Sequence, residues 1–224
     1  MKKEEFKNMP FKKKLEHFWF YYKWHTVIGL VALLVIGYSV YGALTQTKYD
    51  FIIDMICSDV SYDIAENIGK TLENTDVIKD LNGDGEKHVR TSLVAFSSEG
   101  DSEQDIQQMQ AVQVRMLVGE STVMLVGSTF ITGYSTQDVF ADITHIADKY
   151  NIPEDARFID ENGATVGIKL HNNKFMYDHG TPAEDSYIVK RNIPHNHQKD
   201  EQKLKEYEMS DDVIEYIIGY EGGM

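Results

Sequence analysis

Four side chains with oxygen donors, Asp80, Asn82, Asp84 and Glu86, fall at alternate positions in the run DLNGDGE, with Gly83 and Gly85 between them. Oxygen ligands at that spacing, with a glycine that permits a sharp turn, match the opening of an EF-hand-type calcium loop. The ninth position is His88 and the twelfth is Thr91, so the bidentate acid of such a loop is missing, and a strand rather than a helix is expected to follow. The same Asp, Asn and Gly residues also make a tight loop without an ion, through left-handed backbone and local hydrogen bonds. If calcium binds, its role is to stiffen the loop, because extracellular calcium occupies even weak sites.

A second constellation gathers small polar residues at the ends of three expected strands: Ser58 and Asp59 after Cys57, Ser97 and Ser98 before Glu99, and Ser128 and Thr129 after Gly127. In open α/β sheets ligands bind beyond the carboxyl ends of the strands, so Ser58, Asp59, Ser97, Ser98, Ser128 and Thr129 form the expected ligand site. Polar residues also end strands for ordinary reasons of loop chemistry. His195 and His197 stand two apart in IPHNHQKDEQ, a weak transition-metal signal that reads more simply as a solvated stretch. Cys57 is the one cysteine, which excludes an internal disulfide and a multi-cysteine metal site and reads as a small buried residue. No G-x-S-x-G elbow, Walker loop, dinucleotide fingerprint or H-E-x-x-H helix is present, so the expectation is a non-enzymatic protein with no catalytic residues.

The elements that would position these residues follow from periodicity. Residues 49–57, YDFIIDMIC, read as a buried strand, and Ser61 caps a helix whose Ile64, Ala65, Ile68 and Leu72 share a face. Residues 88–96 give a second strand, and Ser102 with Asp105 resembles a capping box for a helix burying Ile106, Met109, Val112, Met116 and Leu117. Residues 122–127 give a third strand. Ser135 with Asp138 repeats the capping pattern ahead of Val139, Phe140, Ile143, Ile146, Ala147 and Tyr150, the clearest amphipathic helix in the chain. Strand, helix, strand, helix, strand, helix predicts an α/β fold with a mainly parallel, helix-flanked sheet. Two late strands are expected at 165–171 and 186–193, with Asp160-Glu161 in a solvated turn between 150 and 165, and a terminal helix from about Lys199, restarted by Ser210 and stopped near Gly219.

Ahead of all this, residues 26–44 carry no charge, and as a helix they reach about 28 Å, enough for a hydrocarbon core. Trp19, Tyr21, Tyr22 and Trp24 suit the headgroup level, and the seven lysines that precede the span keep the N terminus cytoplasmic. A cleaved signal peptide has a shorter apolar core and a clean small-residue site, so a retained anchor is expected. The basic aromatic tail also reads as an amphipathic cytoplasmic helix on anionic lipid. The organisation is then a cytoplasmic tail over 1–25, a transmembrane helix over 26–44 and an extracellular α/β domain over 45–224. Residues 1–44 hold seven Lys against three Glu, and the remainder 15 Lys/Arg against 33 Asp/Glu, giving +4 and −18. A domain of that charge repels phosphate backbones, so no nucleic acid is expected, and the partners are the lipid bilayer and a small solute or a membrane protein.

The KLEHFWFYYKWH tail, the single span, the YDFIIDMIC strand, the DLNGDGE loop and the late YIVKRNI strand together resemble a group of uncharacterised Firmicute single-pass membrane proteins. Members of that group are similar to type 2 extracytoplasmic solute-binding proteins, in which a lobe such as 49–129 faces a second lobe across a ligand cleft. The resemblance implies a membrane-anchored extracytoplasmic binding module. Some 35 residues separate Phe130 from Thr165, too few for a full second lobe, so a single lobe with a shallow site or a protein-binding surface is expected. The alternative is an accessory or structural subunit docking on another membrane complex.

Overall fold

The computed structural model describes residues 10–94 and 103–222, and the chain divides into two compact units, Met1–Thr47 and Lys48–Met224. The described residues of the first unit form one helix, α1 (Phe11–Thr45), 35 residues long and thus about 52 Å. Within it Tyr22–Gly42 is long and apolar enough to cross a membrane, and its side chains are exposed. The apolar window begins four residues earlier than expected because the aromatic run joins the helix without a break. No side chain caps the start, where Pro10 sits in extended backbone.

The second unit is a six-stranded mixed sheet with helices on both faces. In chain order its elements are β1 (Phe51–Ile56), α2 (Tyr62–Glu73), β2 (Val89–Val94), α3 (Glu103–Val118), β3 (Val123–Gly127), α4 (Ser128–Tyr134), α5 (Thr144–Lys149), β4 (Arg157–Ile159), β5 (Thr165–Lys169), α6 (Lys174–Asp178), β6 (Ser186–Lys190) and α7 (Glu201–Ile218). The sheet order is β2-β1-β3-β6-β5-β4. β1 pairs in parallel with β2 and with β3, as the first two strand-helix-strand crossovers require. The remaining pairings, β3 with β6, β6 with β5 and β5 with β4, are antiparallel, so the sheet is parallel only in its first half. For β4 and β5 the reason is connection length: five residues join them, whereas a parallel crossover takes a dozen or more. Asp160 closes that hairpin, its carboxylate accepting from the backbone N–H groups of Asn162 and Ala164 at 2.9 and 2.8 Å.

Alternation along the strands divides the core. Phe51, Ile53 and Met55 of β1, with Val123, Leu125 and Ile188, meet Ala65, Ile68 and Leu72 of α2 and Met209, Val213, Ile214 and Ile217 of α7. Ile56, Met124, Val126 and Val189 face the other way, toward Val112 of α3 and Phe130 and Ile131 of α4. Ser61 caps α2 as expected, accepting from the Ile64 N–H at 3.4 Å. Ser102 lies outside the described residues.

Two helices differ from expectation. The amphipathic run over 135–150 is not one helix. Ser135–Gln137 is a single 3-10 turn, Asp138 takes a left-handed φ of 54°, and only Thr144–Lys149 is α-helical. Residues 139–141 instead extend beside the end of β6: Ala141 N–H donates to the Lys190 carbonyl at 2.8 Å and Asn192 N–H to that of Val139 at 2.8 Å. The apolar stripe is therefore that of a strand-like segment, in which Phe140 is buried and Val139 half-buried. The terminal helix is likewise not restarted at Ser210. It runs unbroken from an Asp200 cap, and Ser210 is a buried interior residue whose hydroxyl lies 2.9 Å from the Glu206 carbonyl and 2.7 Å from Thr122 Oγ1.

Candidate functional site

The expected strand-end site is where the chain holds itself together. Asp59 Oδ2 accepts from the Asp185 N–H at 2.8 Å and the Ser186 hydroxyl at 3.3 Å, Ser58 Oγ donates to Asp59 Oδ1 at 3.1 Å, and Thr181 Oγ1 donates to the Asp59 carbonyl at 2.8 Å. Asp185 in turn accepts from Ser128, through its hydroxyl at 2.8 Å and its N–H at 3.3 Å. Ser58, Asp59 and Ser128 thus converge, but on residues 181–186, the approach to β6, which closes over the ends of β1 and β3. Thr129 is exposed on the first turn of α4, and Ser97 and Ser98 lie outside the described residues. Cys57 is buried beside Ser186, and burial pushes its thiol up to about 11, so it stays a thiol at neutral pH.

The Asp80 loop is folded around its own backbone. Asp80 accepts from the N–H groups of Gly83 and Gly85 at 2.6 and 2.9 Å, Asn82 from Asp84 N–H at 3.0 Å, and Asp84 from Glu86 N–H at 3.0 Å. Glu86 faces His88 Nε2 at 3.2 Å. The Gly85 and Gly83 N–H groups hold the Asp80 carboxyl below its ordinary range. The residue that anchors the loop escaped sequence reasoning: Asp50, 1% exposed, accepts from Leu81, Asn82 and His88 N–H groups at 2.8, 3.1 and 2.9 Å. Among the described residues no group of three or more His, Cys, Asp or Glu is arranged to hold a metal ion. His197 is spent on the Val118 carbonyl at 2.9 Å.

A concave site lies elsewhere, beneath the last turn of α3. Arg115 is the one basic residue of that helix, and it reaches down to Asp54 in the middle of β1, Nη1 to Oδ1 at 3.4 Å. Asp54 is 5% exposed, and its other oxygen accepts from the Ser121 hydroxyl at 2.6 Å. Arg115 also donates to the Ser92 hydroxyl, and on β2 Arg90 pairs with Glu120. A carboxylate inside a sheet needs such partners, since an uncompensated buried charge costs several kcal/mol. Asp54, Arg90, Ser92, Arg115 and Glu120, with Val114 and Val118, line a groove of about 370 Å³.

The groove's rim is fixed by the end of α3. Gly119, at φ +70°, terminates the helix, its N–H donating to the Arg115 carbonyl at 2.9 Å. The last carbonyls, at the negative end of the helix dipole, receive basic side chains: Arg191 donates to Arg115 O and Met116 O, and Lys203 to Glu120 O just beyond. A second polar hollow of about 560 Å³ opens on the far side of Arg191, between Asp138 and His195. Its floor is tied by Asn192, whose amide donates to the Asp138 and Phe140 carbonyls at 3.0 and 3.1 Å.

Asp54, Arg90, Arg115 and Glu120 were not foreseen. A signal for the first was present: an acid at the centre of the apolar run FIIDMIC faces inward and needs a base. No protein-family model matches this sequence, and no curated protein matches it.

Proposed function

We propose that this protein is a membrane-anchored, extracytoplasmic binding module that performs no catalysis, with α1 as a single-pass anchor, the N terminus in the cytoplasm and the α/β unit outside the cell. The orientation is supported by the lysines, including Lys12, Lys13, Lys14 and Lys23, ahead of the apolar stretch. The binding role is carried by the groove over Asp54: its volume falls within the range of small-ligand pockets, and it is lined by a buried carboxylate of the sheet paired with the half-buried Arg115. A structural calcium in the loop over 80–86 belongs to the same reading, supported by the alternate oxygen donors and by Asp80, which is held in its ionised form.

A second reading is an accessory subunit that docks on another membrane protein. It is favoured by the self-closed strand ends and by the −18 charge over residues 45–224, which suits a basic partner. Thermal shift of the full-length protein in nanodiscs against amino acids, organic acids, sugars and cations separates the two. A stabilising solute supports the binding module. No shift, with a stoichiometric partner co-purifying from native membranes, supports the accessory subunit.

A further inference from the structure

We propose that the groove beneath α3 takes a small aliphatic monocarboxylate, which replaces Glu120 on the Arg90 guanidinium; this rests on the groove's being the binding site. A guanidinium recognises a carboxylate best through two parallel N–H bonds, one to each oxygen. Glu120 uses only half of that edge. Its Oε2 meets Arg90 Nη2, while Arg90 Nε is closed off from solvent and bonds to nothing among the described residues. The guanidinium is held in place by the Tyr49 ring, 5.4 Å from Cζ. Glu120 is loosely placed by comparison: its side chain is 52% exposed, and it follows the helix-ending Gly119, so it can turn into water without uncovering a buried charge.

Charge and shape then select the ligand. Arg115 is already neutralised by Asp54 and contributes no unmatched charge to the groove. With Glu120 displaced, Arg90 is left with one positive charge and a two-pronged edge, which one carboxylate satisfies. Beside it Val114 and Val118, one helical turn apart on α3, are 57% and 43% exposed and line the same groove, offering an apolar wall to an alkyl chain. About 370 Å³ accommodates a solute of this kind and no folded partner.

The test is calorimetric titration of the full-length protein in nanodiscs of neutral lipid with butyrate and with its uncharged isostere butyramide. Glu120 competes as an intramolecular ligand, so Glu120→Ala binds butyrate about tenfold tighter than the native chain, with Glu120→Gln as the second variant. Arg90→Gln binds none, Arg90→Lys recovers little because it lacks the fork, and butyramide gives no heat. Equal butyrate affinity in the native chain and both Glu120 variants, or butyramide binding as well as butyrate, overturns the proposal. Butyrate silence in every variant, beside a ligand found in the wider solute screen, removes the carboxylate and leaves the binding module standing.

Discussion

Replacing Arg115 by Met keeps most of the side chain's volume and removes the counter-charge of Asp54. Breaking a buried ion pair by deleting one partner costs about 3–5 kcal/mol when both groups are fully desolvated. Here the Arg115 side chain is 35% exposed, the contact is 3.4 Å, and Ser121 still donates to the carboxylate, so about 2 kcal/mol is the expected loss. For a unit of this size that lowers the melting temperature by roughly 4–8 °C. Both tryptophans, Trp19 and Trp24, lie in α1, so tryptophan emission is blind to the sheet. Scanning calorimetry or the tyrosine near-ultraviolet circular dichroism of the full-length protein in nanodiscs reads it instead. Adding Asp54→Asn to Arg115→Met removes the stranded charge and restores at least half of the loss. A single variant within about 0.5 kcal/mol of native, or a strictly additive double variant, would refute the idea that Asp54 is held by Arg115.

Three further outcomes are expected. Gly119→Ala puts a Cβ 2.4 Å from Pro194 Cγ at a left-handed φ, so it costs about 2 kcal/mol or more in chemical denaturation, and a variant as stable as the native protein would contradict the close approach. Burial pushes the Glu206 carboxyl above its usual 4.5, against the pull of Lys203, so the folded state holds that proton more tightly than the unfolded state. Its contribution therefore declines as pH rises from 4.5 through the folded value, and Glu206→Gln gains on the native protein over that interval in melting curves; a gap that does not change with pH counts against this. Calcium titrated into the full-length protein should release heat that Asp84→Ala abolishes, and equal heats would remove the loop as a site.

Much of the fold is legible locally. β1 and β3 are short apolar runs bounded by polar residues, and Ser61 announces α2 because its hydroxyl sits three residues ahead of a needy N–H. What failed did so where tertiary partners outrank periodicity. Val139 and Phe140 fit a helical stripe, but Asp138 turns left-handed and the segment pairs with the end of β6. Ser210 looks like a cap only until Thr122 is placed against it. β4 is three half-exposed residues with no pattern to read. The site was the least legible part. The loop and strand-end residues were found by type and spacing, yet Asp59 and Asp185 are 126 residues apart, and sequence does not reveal that they meet. Asp54 and Arg115 are separated by 61 residues, so a buried acid could be noticed without its partner being named.

Because Cys57 is buried and is the chain's one cysteine, introduced cysteines report topology against a quiet background. Tyr177, 70% exposed on α6, and Lys12, ahead of the apolar stretch, are suitable positions. In intact cells a membrane-impermeant maleimide should label Tyr177→Cys and leave Lys12→Cys untouched until the membrane is permeabilised, with both variants staying in the membrane fraction after carbonate extraction. Labelling of Lys12→Cys but not Tyr177→Cys in intact cells, or release of the full-length chain into the carbonate supernatant, would contradict an anchored domain outside the cell.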